Sequence, residues 1–223
     1  MSAATTDEYR TIAAPSEGTF RDRGSKFIAY AFPVQDEVQA MEQVQSVRRA
    51  HPKARHHCFA WRLEHGGDRF RTNDDGEPSG TAGRPILGQI DSFGLTNVVV
   101  VVVRYFGGTL LGTSGLIRAY RAATAEALHH AQIVARVREQ LVQLTFGYPL
   151  MGPVMRAIER IGLSVRTQSF DHQGQLIFAV PLSRLDEVLI HLKAHVAGVP
   201  LEQARQIREV QGLHIALLTE AQR

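Results

Sequence analysis

Alternating apolar and polar positions predict the strands of a sheet in the first part of the chain. Residues 19–34 (TFRDRGSKFIAYAFPV) are typical of two strands joined by a turn at residues 22–24. Residues 54–63 alternate in a way that gives a strand one apolar face. The run NVVVVVVRYF at residues 97–106 does not alternate, which predicts a central strand buried on both faces.

Apolar positions three and four residues apart predict helices around these strands. Residues 36–52 are typical of a helix capped by Asp36, and residues 81–94 contain a shorter helix. Residues 115–131 have an apolar face that can cover the valine strand. The polar residues 64–79 are expected to form a loop.

The second half of the chain repeats strand and helix patterns in a different order. A strand, a helix closed by Gly162, a hairpin and a second helix are predicted between residues 142 and 198. Ser183 and Asp186 are spaced as a capping box for that second helix. Residues 204–210 are interpreted as the last strand, so the order is βαββαβ, which is the ferredoxin-like arrangement.

These elements predict an α+β protein with three parts. Residues 1–16 are expected to be an N-terminal tail, and residues 17–137 a sheet-and-helix domain. Residues 138–223 are expected to be a ferredoxin-like domain.

Composition narrows the class of protein. The 223 residues carry a net charge of +3, which does not indicate a strongly basic nucleic-acid binder. Most basic residues are arginines, whose planar guanidinium groups bind phosphate well. A genome with biased codon use would also explain the excess of arginine. The single cysteine, Cys58, excludes an intramolecular disulfide. With no signal-peptide pattern and no apolar run of membrane-spanning length, we expect a cytoplasmic protein without a membrane partner.

A glycine-rich segment, RYFGGTLLGTSG at residues 104–115, lies where the valine strand passes into a helix. Amide groups in the first turn of a helix have no intrahelical partner, and the helix dipole favours an anion there. The segment lacks the lysine of a phosphate-binding P-loop and is one residue short of a nucleophile elbow. The remaining interpretations are a site for phosphate or another oxyanion and a set of glycines that serve turns and packing alone.

An acidic segment, DDGEPSGTAGRP at residues 74–85, precedes the shorter helix. Asp74, Asp75 and Glu77 could bind a hard cation such as Mg²⁺, act in catalysis, order the neighbouring anion site, or simply form a turn. Residues 79–84 could form a second donor-rich loop that faces the first. Apart from this possible Mg²⁺ we expect no metal and no cofactor. The sequence assigns no catalytic residue.

Both segments together resemble the IMPACT family. The resemblance is carried by DDGEPSGTAGRPIL (74–87), VVVVRYFGGTLLGTSGLIRAY (100–120) and GSKFIA (24–29), and with specific motifs it spans residues 17–131. It implies a first domain similar to a domain of a ribosomal small-subunit protein and a second similar to a ferredoxin-like domain of elongation factor G. Ser114 departs from the family pattern, which usually has glycine at this position.

The motifs and the two loops nominate the functional residues. The resemblance also singles out Pro85 and Tyr120. Asp74, Asp75 and Glu77 are expected to order the neighbouring loop or to bind a metal. The predicted anion- or nucleic-acid-binding residues are Lys26, Ser79, Gly80, Gly83, Arg84, Arg104, Gly107, Gly108, Gly112, Thr113, Ser114, Gly115 and Arg118.

Three functions stay open on the sequence. The resemblance implies a noncatalytic regulator of translation that binds RNA or the ribosome, and phosphate contacts would make such binding fall with salt. The alternatives are an enzyme that acts on a phosphorylated small molecule or nucleotide, and a protein-interaction module. Eukaryotic members bind a protein that activates the amino-acid-starvation kinase, but the two-domain layout resembles the bacterial form, so this partner is not carried over.

Overall fold

The computed structural model describes residues 7–64 and 66–218, and the chain divides into two compact units. One unit comprises residues 8–136, and the other comprises Asp7 with the described residues from Val137 onward. The strands are β1 (Glu8–Ile12), β2 (Ser16–Asp22), β3 (Ser25–Pro33), β4 (His56–Leu63), β5 (Arg69–Asn73), β6 (Val98–Tyr105), β7 (Ile133–Val137), β8 (Glu139–Phe146), β9 (Val165–Phe170), β10 (Gly174–Pro181) and β11 (Leu213–Leu218). The helices are α1 (Glu37–Ala50), α2 (Gly83–Ser92), α3 (Gly112–His129), α4 (Met151–Ile161), α5 (Leu185–Ala197) and α6 (Leu201–Ala204).

The first unit is built on a five-stranded antiparallel sheet in the order β2-β3-β6-β4-β5. Strand β6 is central, and its six valines, Val98–Val103, are fully buried, as the non-alternating run predicts. Val98, Val100 and Val102 pack in the cluster that includes α2 and α3. The alternate valines pack in a second cluster with α1, so helices cover both faces of β6.

The second unit is a four-stranded antiparallel sheet in the order β11-β8-β10-β9, with α4 and α5 packed in one apolar cluster with it. The βαββαβ order predicted from the sequence is confirmed, and an α+β fold class with it. Gly162 ends α4 in the left-handed conformation, as its position predicts.

Two predictions in the second unit are wrong in detail. Residues 204–210 do not form the last strand, because the backbone N–H groups of Arg205, Gln206 and Ile207 donate to carbonyl groups three or four residues earlier, as in helical turns. The Lys193 ammonium donates to the carbonyl groups of Ile207 (3.2 Å) and Arg208 (3.1 Å). The last strand is β11. Ser183 does not form a capping box with Asp186, because its backbone N–H donates to the Asp7 carboxylate at 3.0 Å.

The first unit contains three short strands that the sequence patterns missed. Strand β1 lies within the expected tail of residues 1–16, pairs with β7, and places Ile12 in the core at 1% exposure. The part of that tail at residues 1–6 lies outside the described residues. Strand β5 lies within the expected loop of residues 64–79. It is an edge strand with mostly exposed side chains, so it lacks the apolar alternation that identifies a strand.

Candidate functional site

The Asp74 carboxylate fills the start of helix α2. Its oxygens accept hydrogen bonds from the backbone N–H groups of Gly80 (2.8 Å), Ala82 (3.0 Å) and Gly83 (2.8 Å). The amides of Ala82 and Gly83 would otherwise be unpaired at the N-terminus of α2, and the amide of Gly80 lies in the turn just before it. The donor-rich loop at residues 79–84 is therefore occupied by an anion that the chain itself provides.

This arrangement lowers the pKa of Asp74. Burial acts to raise the pKa, but the hydrogen bonds from the amides of Gly80, Gly83 and Ala82 and the charge of Arg84 outweigh it, and the net pKa is lowered. Hydrogen bonds to the charged form favour that form. Asp74 is thus held as a carboxylate by the backbone, and its proton-accepting capacity is reduced.

Asp75 connects the acidic segment to strand β4 and helix α1. Its carboxylate accepts from the backbone N–H of His57 at 2.7 Å and from the Arg48 guanidinium at 2.9 Å. Its carbonyl accepts from Nδ1 of His56 at 2.8 Å. Asp75 has a positive φ of 40°, which aspartate tolerates better than most residues, so the tight turn needs this residue type or asparagine.

Glu77 and Arg104 form a buried ion pair that joins the acidic segment to the end of β6. The Nη1 atom of Arg104 donates to Oε1 of Glu77 at 2.6 Å, and the two side chains are only 7% and 3% exposed. The same carboxylate oxygen accepts from the Tyr120 hydroxyl at 2.8 Å. Cys58 extends the network, with its Sγ 3.3 Å from that hydroxyl and 3.0 Å from the Asp74 carbonyl oxygen.

Burial raises the pKa of both neutral members of this network. The pKa of the Cys58 thiol is raised mainly by burial, and nearby carboxylates add to the effect. The pKa of the Tyr120 phenol is also raised mainly by burial. Both groups therefore stay protonated at neutral pH and act as hydrogen-bond donors, which argues against a thiolate nucleophile at Cys58.

Arg104 retains hydrogen-bonding capacity beyond its pair with Glu77. Its Nε atom is buried and has no hydrogen-bond partner among the described residues. The side chain as a whole is 7% exposed, and the one hydrogen bond found for it in the described residues is that of Nη1 to Glu77. The Arg104 guanidinium therefore keeps an unpaired donor, its buried Nε, within this network, which is an uncommon feature in a folded protein.

Helix α3 begins without the protein carboxylate that α2 has. Its N-cap residue is Leu111, and no side chain caps this end within the described chain. Gly112 has a φ of 70° at the first position, a conformation that favours glycine. Thr113 and Ser114 are exposed on the first turn, so amide and hydroxyl donors face outward together.

An open cavity of about 360 Å³ lies at this end of α3. Arg104, Gly112 and Thr113 form part of its wall, together with the exposed Arg55, whose side chain makes no ion pair in residues 7–64 and 66–218. The other lining residues are His56, Glu77, Pro78, Phe106, Leu110, Leu111 and Leu116. The cavity thus brings together two guanidinium groups and a helix N-terminus, which attract an anion.

Several predicted site residues lie elsewhere. Lys26 is paired with Tyr105 in the sheet and points to the face covered by α1, because its neighbour Phe27 packs on the α3 side. Arg118 pairs with Asp22 at 2.6 Å and does not line the cavity. Arg84 acts on Asp74 through its charge.

Four further predicted residues, Ser79, Gly107, Gly108 and Gly115, lie in turns or in close contacts with neighbouring residues. Gly107 packs on the turn between β2 and β3, where an added Cβ would collide with the backbone of Gly24 and Ser25. Gly108 has a φ of 86° in the same segment. Ser79 lies in the segment that wraps the Asp74 carboxylate, and Gly115 is buried on α3 against Leu111.

Sequence reasoning missed Arg55, Phe106 and Leu110 as cavity residues. Arg55 precedes β4 by one position, and β4 reaches the cavity only because it pairs with β6. Phe106 and Leu110 are 47% and 81% exposed within the glycine-rich segment. The sequence signal for Phe106 and Leu110 was that both are large apolar residues in a glycine-rich segment of the kind that is typical of turns.

Neither a metal-binding cluster nor a membrane-spanning helix is found in the described part of the chain. Within it, no group of three or more His, Cys, Asp or Glu side chains is arranged to hold a metal ion. No helix in residues 7–64 and 66–218 is long and apolar enough to cross a membrane.

Comparisons with known proteins agree with this architecture. Residues 23–128 match the family model of the Impact N-terminal domain. An IMPACT family member of Haemophilus influenzae is 32% identical over 187 residues, which cover 83% of this chain and 91% of that protein. A crystal structure described as that of a hypothetical protein is 28% identical, with a TM-score of 0.63 over 96% of this chain and 98% of that one.

A further solved structure is described as the two-domain translational regulator Yih1. It is 30% identical and covers 55% of this chain and 47% of that chain, with a TM-score of 0.32. The family assignment rests on the domain match and on the relative that aligns along nearly its whole length. The chain belongs to the IMPACT family.

Proposed function

We propose that this protein is a regulator linked to translation that binds a phosphate-bearing ligand, foremost RNA, at the N-terminus of α3. The description of the related Yih1 as a translational regulator supports the link to translation. The observation that carries the binding site is the cavity in which an uncapped helix start meets the partly unpaired Arg104. Cytoplasmic location and ribosome binding are parts of the same proposal.

The phosphate would lie against the first turn of α3. Backbone N–H groups of Thr113, Ser114 and Gly115 and the dipole of an 18-residue helix favour a negative charge at this point. Arg104 contributes its guanidinium, whose Nε has no hydrogen-bond partner among the described residues, from within the cavity wall, and Arg55 contributes a full charge from the rim. The charge of Glu77 is balanced by Arg104, so the net field of the cavity remains positive.

The acids that an enzyme would use are already engaged. Asp74 is bound by three backbone amides, Asp75 by Arg48 and His57, and Glu77 by Arg104 and Tyr120. A general base needs a carboxylate that is free to take a proton from a substrate. These contacts support a binding function in preference to a catalytic one.

The test is fluorescence anisotropy of a 3′-labelled single-stranded RNA of ten nucleotides, measured over a salt series. We compare the wild-type protein with Thr113→Asp, which places a carboxylate in the site, and with the isosteric Thr113→Asn as the control. Binding should weaken as salt rises. Thr113→Asp should weaken it by about tenfold or more, equivalent to roughly 1.4 kcal/mol, while Thr113→Asn retains it.

Two results would overturn the proposal. One is the absence of wild-type binding at low salt. The other is equal affinity of the two Thr113 variants, because the added carboxylate would then lie away from the bound phosphate. Thermal unfolding of each variant checks that the fold is intact.

A further inference from the structure

The cavity at α3 has a larger apolar wall than a phosphate ion alone requires. Phe106 follows β6 directly and is 47% exposed, and Leu110 is 81% exposed beside it. Leu111, Leu116 and Pro78 complete this wall. Exposed apolar area is costly in water, and a cluster of it beside an anion site indicates that the ligand also has an apolar part.

The apolar wall includes a flat surface. The Arg104 guanidinium carbon lies 5.6 Å from the centroid of the Phe106 ring and 5.5 Å from that of Phe27. Phe27 is fully buried, whereas Phe106 leaves about half of its surface open. Aromatic rings supported by arginine are the surfaces on which nucleic-acid bases stack. Phe106 thus offers a place for a planar ring next to the phosphate position.

The size of the cavity limits what can enter. A volume of about 360 Å³ is near the lower end of the range for small-molecule sites. This is the scale of one nucleotide and not of a duplex. Bases inside a duplex are also covered on both faces, whereas those of single strands can turn outward and stack on a protein ring.

We infer that the site takes a nucleoside phosphate, with the phosphate on the first turn of α3 and the base stacked on Phe106. This inference rests on the proposed function, because it uses the same phosphate position. A free mononucleotide and one nucleotide of a single-stranded RNA share this chemistry. Phe106 is then a specificity-determining residue that selects a nucleotide over other phosphate esters.

The test is isothermal titration of the full-length protein with AMP and with ribose 5-phosphate, which lacks the base. The wild-type protein should bind AMP about tenfold more tightly, as expected for one base stacked on an aromatic ring. Phe106→Leu keeps an apolar side chain and removes the ring. It should bring the ratio of the two affinities to about two or below while leaving the ribose 5-phosphate affinity unchanged.

The outcomes separate this inference from the proposed function. Equal wild-type affinities for AMP and ribose 5-phosphate, or a ratio that Phe106→Leu does not alter, overturn the inference and leave the phosphate site standing. Failure of both ligands and of RNA to bind overturns both. Phenyl phosphate that binds as tightly as AMP would also overturn the inference, because the site would then fit a phosphotyrosine peptide.

A final arm distinguishes the two sources of the nucleotide. Oligoadenylate of ten residues is titrated beside AMP under the same conditions. An affinity for the oligonucleotide at least tenfold higher supports a nucleotide within single-stranded RNA. Comparable affinities support a free mononucleotide as the ligand.

Discussion

Two helices of the first unit, α2 and α3, pack in the same apolar cluster but begin in different surroundings. The start of α2 is filled by the Asp74 carboxylate, which accepts from three backbone amides. The start of α3 has no side-chain cap within the described residues and borders a cavity with Arg104 and Arg55. A helix N-terminus stabilises an anion whether it belongs to the chain or comes from solution. The difference teaches that the start of α2 is filled by a structural anion, whereas the start of α3 is left open for the anionic ligand that we propose.

The largest effect is expected for the ion pair that joins the two loops. Glu77→Leu leaves the Arg104 charge buried without its partner, which should lower the free energy of unfolding by about 3–5 kcal/mol. The double variant Glu77→Leu, Arg104→Met removes both charges and should recover most of that loss. Urea denaturation measures both variants. A single variant within about 1 kcal/mol of wild type would show that the pair is not buried as described.

A smaller loss is expected at the start of α2. Asp74→Ala leaves three amides without an acceptor, and this should cost about 2–4 kcal/mol, since hydrogen bonds to a charged group are stronger than neutral ones. Asp74→Asn keeps one oxygen acceptor and should cost less. Denaturation of the three proteins at pH 7 tests this order. Equal stability of Asp74→Ala and wild type would contradict the internal filling of α2.

The pH dependence of stability should identify the same carboxylate. Because the folded-state pKa of Asp74 is lowered from its usual 3.8, its contribution is present above the unfolded pKa and is lost as pH falls through the folded pKa. The wild-type free energy of unfolding should therefore decline more steeply than that of Asp74→Asn below about pH 4. Parallel profiles for the two proteins over this range would contradict the assignment.

The smallest stability effect is expected at the start of α3. Thr113 is exposed and makes no hydrogen bond through its side chain in the described chain. Thr113→Asp should raise the unfolding free energy by about 0.3–1 kcal/mol, because a carboxylate there complements the helix dipole. Thr113→Asn is the matched control. A clear loss of stability in Thr113→Asp would contradict an open, positive N-terminus.

The sequence predicted the fold class and the βαββαβ order because the non-alternating valine run marks β6 as a buried strand, and apolar periodicity marks α3 and the elements of the second unit. It did not predict β5, since an exposed edge strand has no apolar face to show. The glycine-rich segment was nominated correctly as the start of a helix. However, sequence alone could not pair Arg104 with Glu77, because 27 residues separate them and Glu77 lies in the segment between β5 and α2, whose path the sequence patterns do not define.

The two donor-rich loops also show where sequence reasoning stops. Both have glycines and hydroxyl residues before a helix, and both were nominated for the same anion site. Only the contacts of Asp74 distinguish the two loops, since its carboxylate accepts hydrogen bonds from backbone amides six to nine positions further along the chain. An acid near a glycine loop can thus remove a binding site as readily as it can form one.

The most direct test of this account is a titration of the ¹⁵N-labelled protein with inorganic phosphate, followed by amide chemical shifts. The account predicts saturable shifts at Thr113, Ser114 and Gly115, while the amides of Gly80, Ala82 and Gly83 stay unchanged because Asp74 already occupies them. Shifts of equal size at both helix starts, or none at the start of α3, would contradict it.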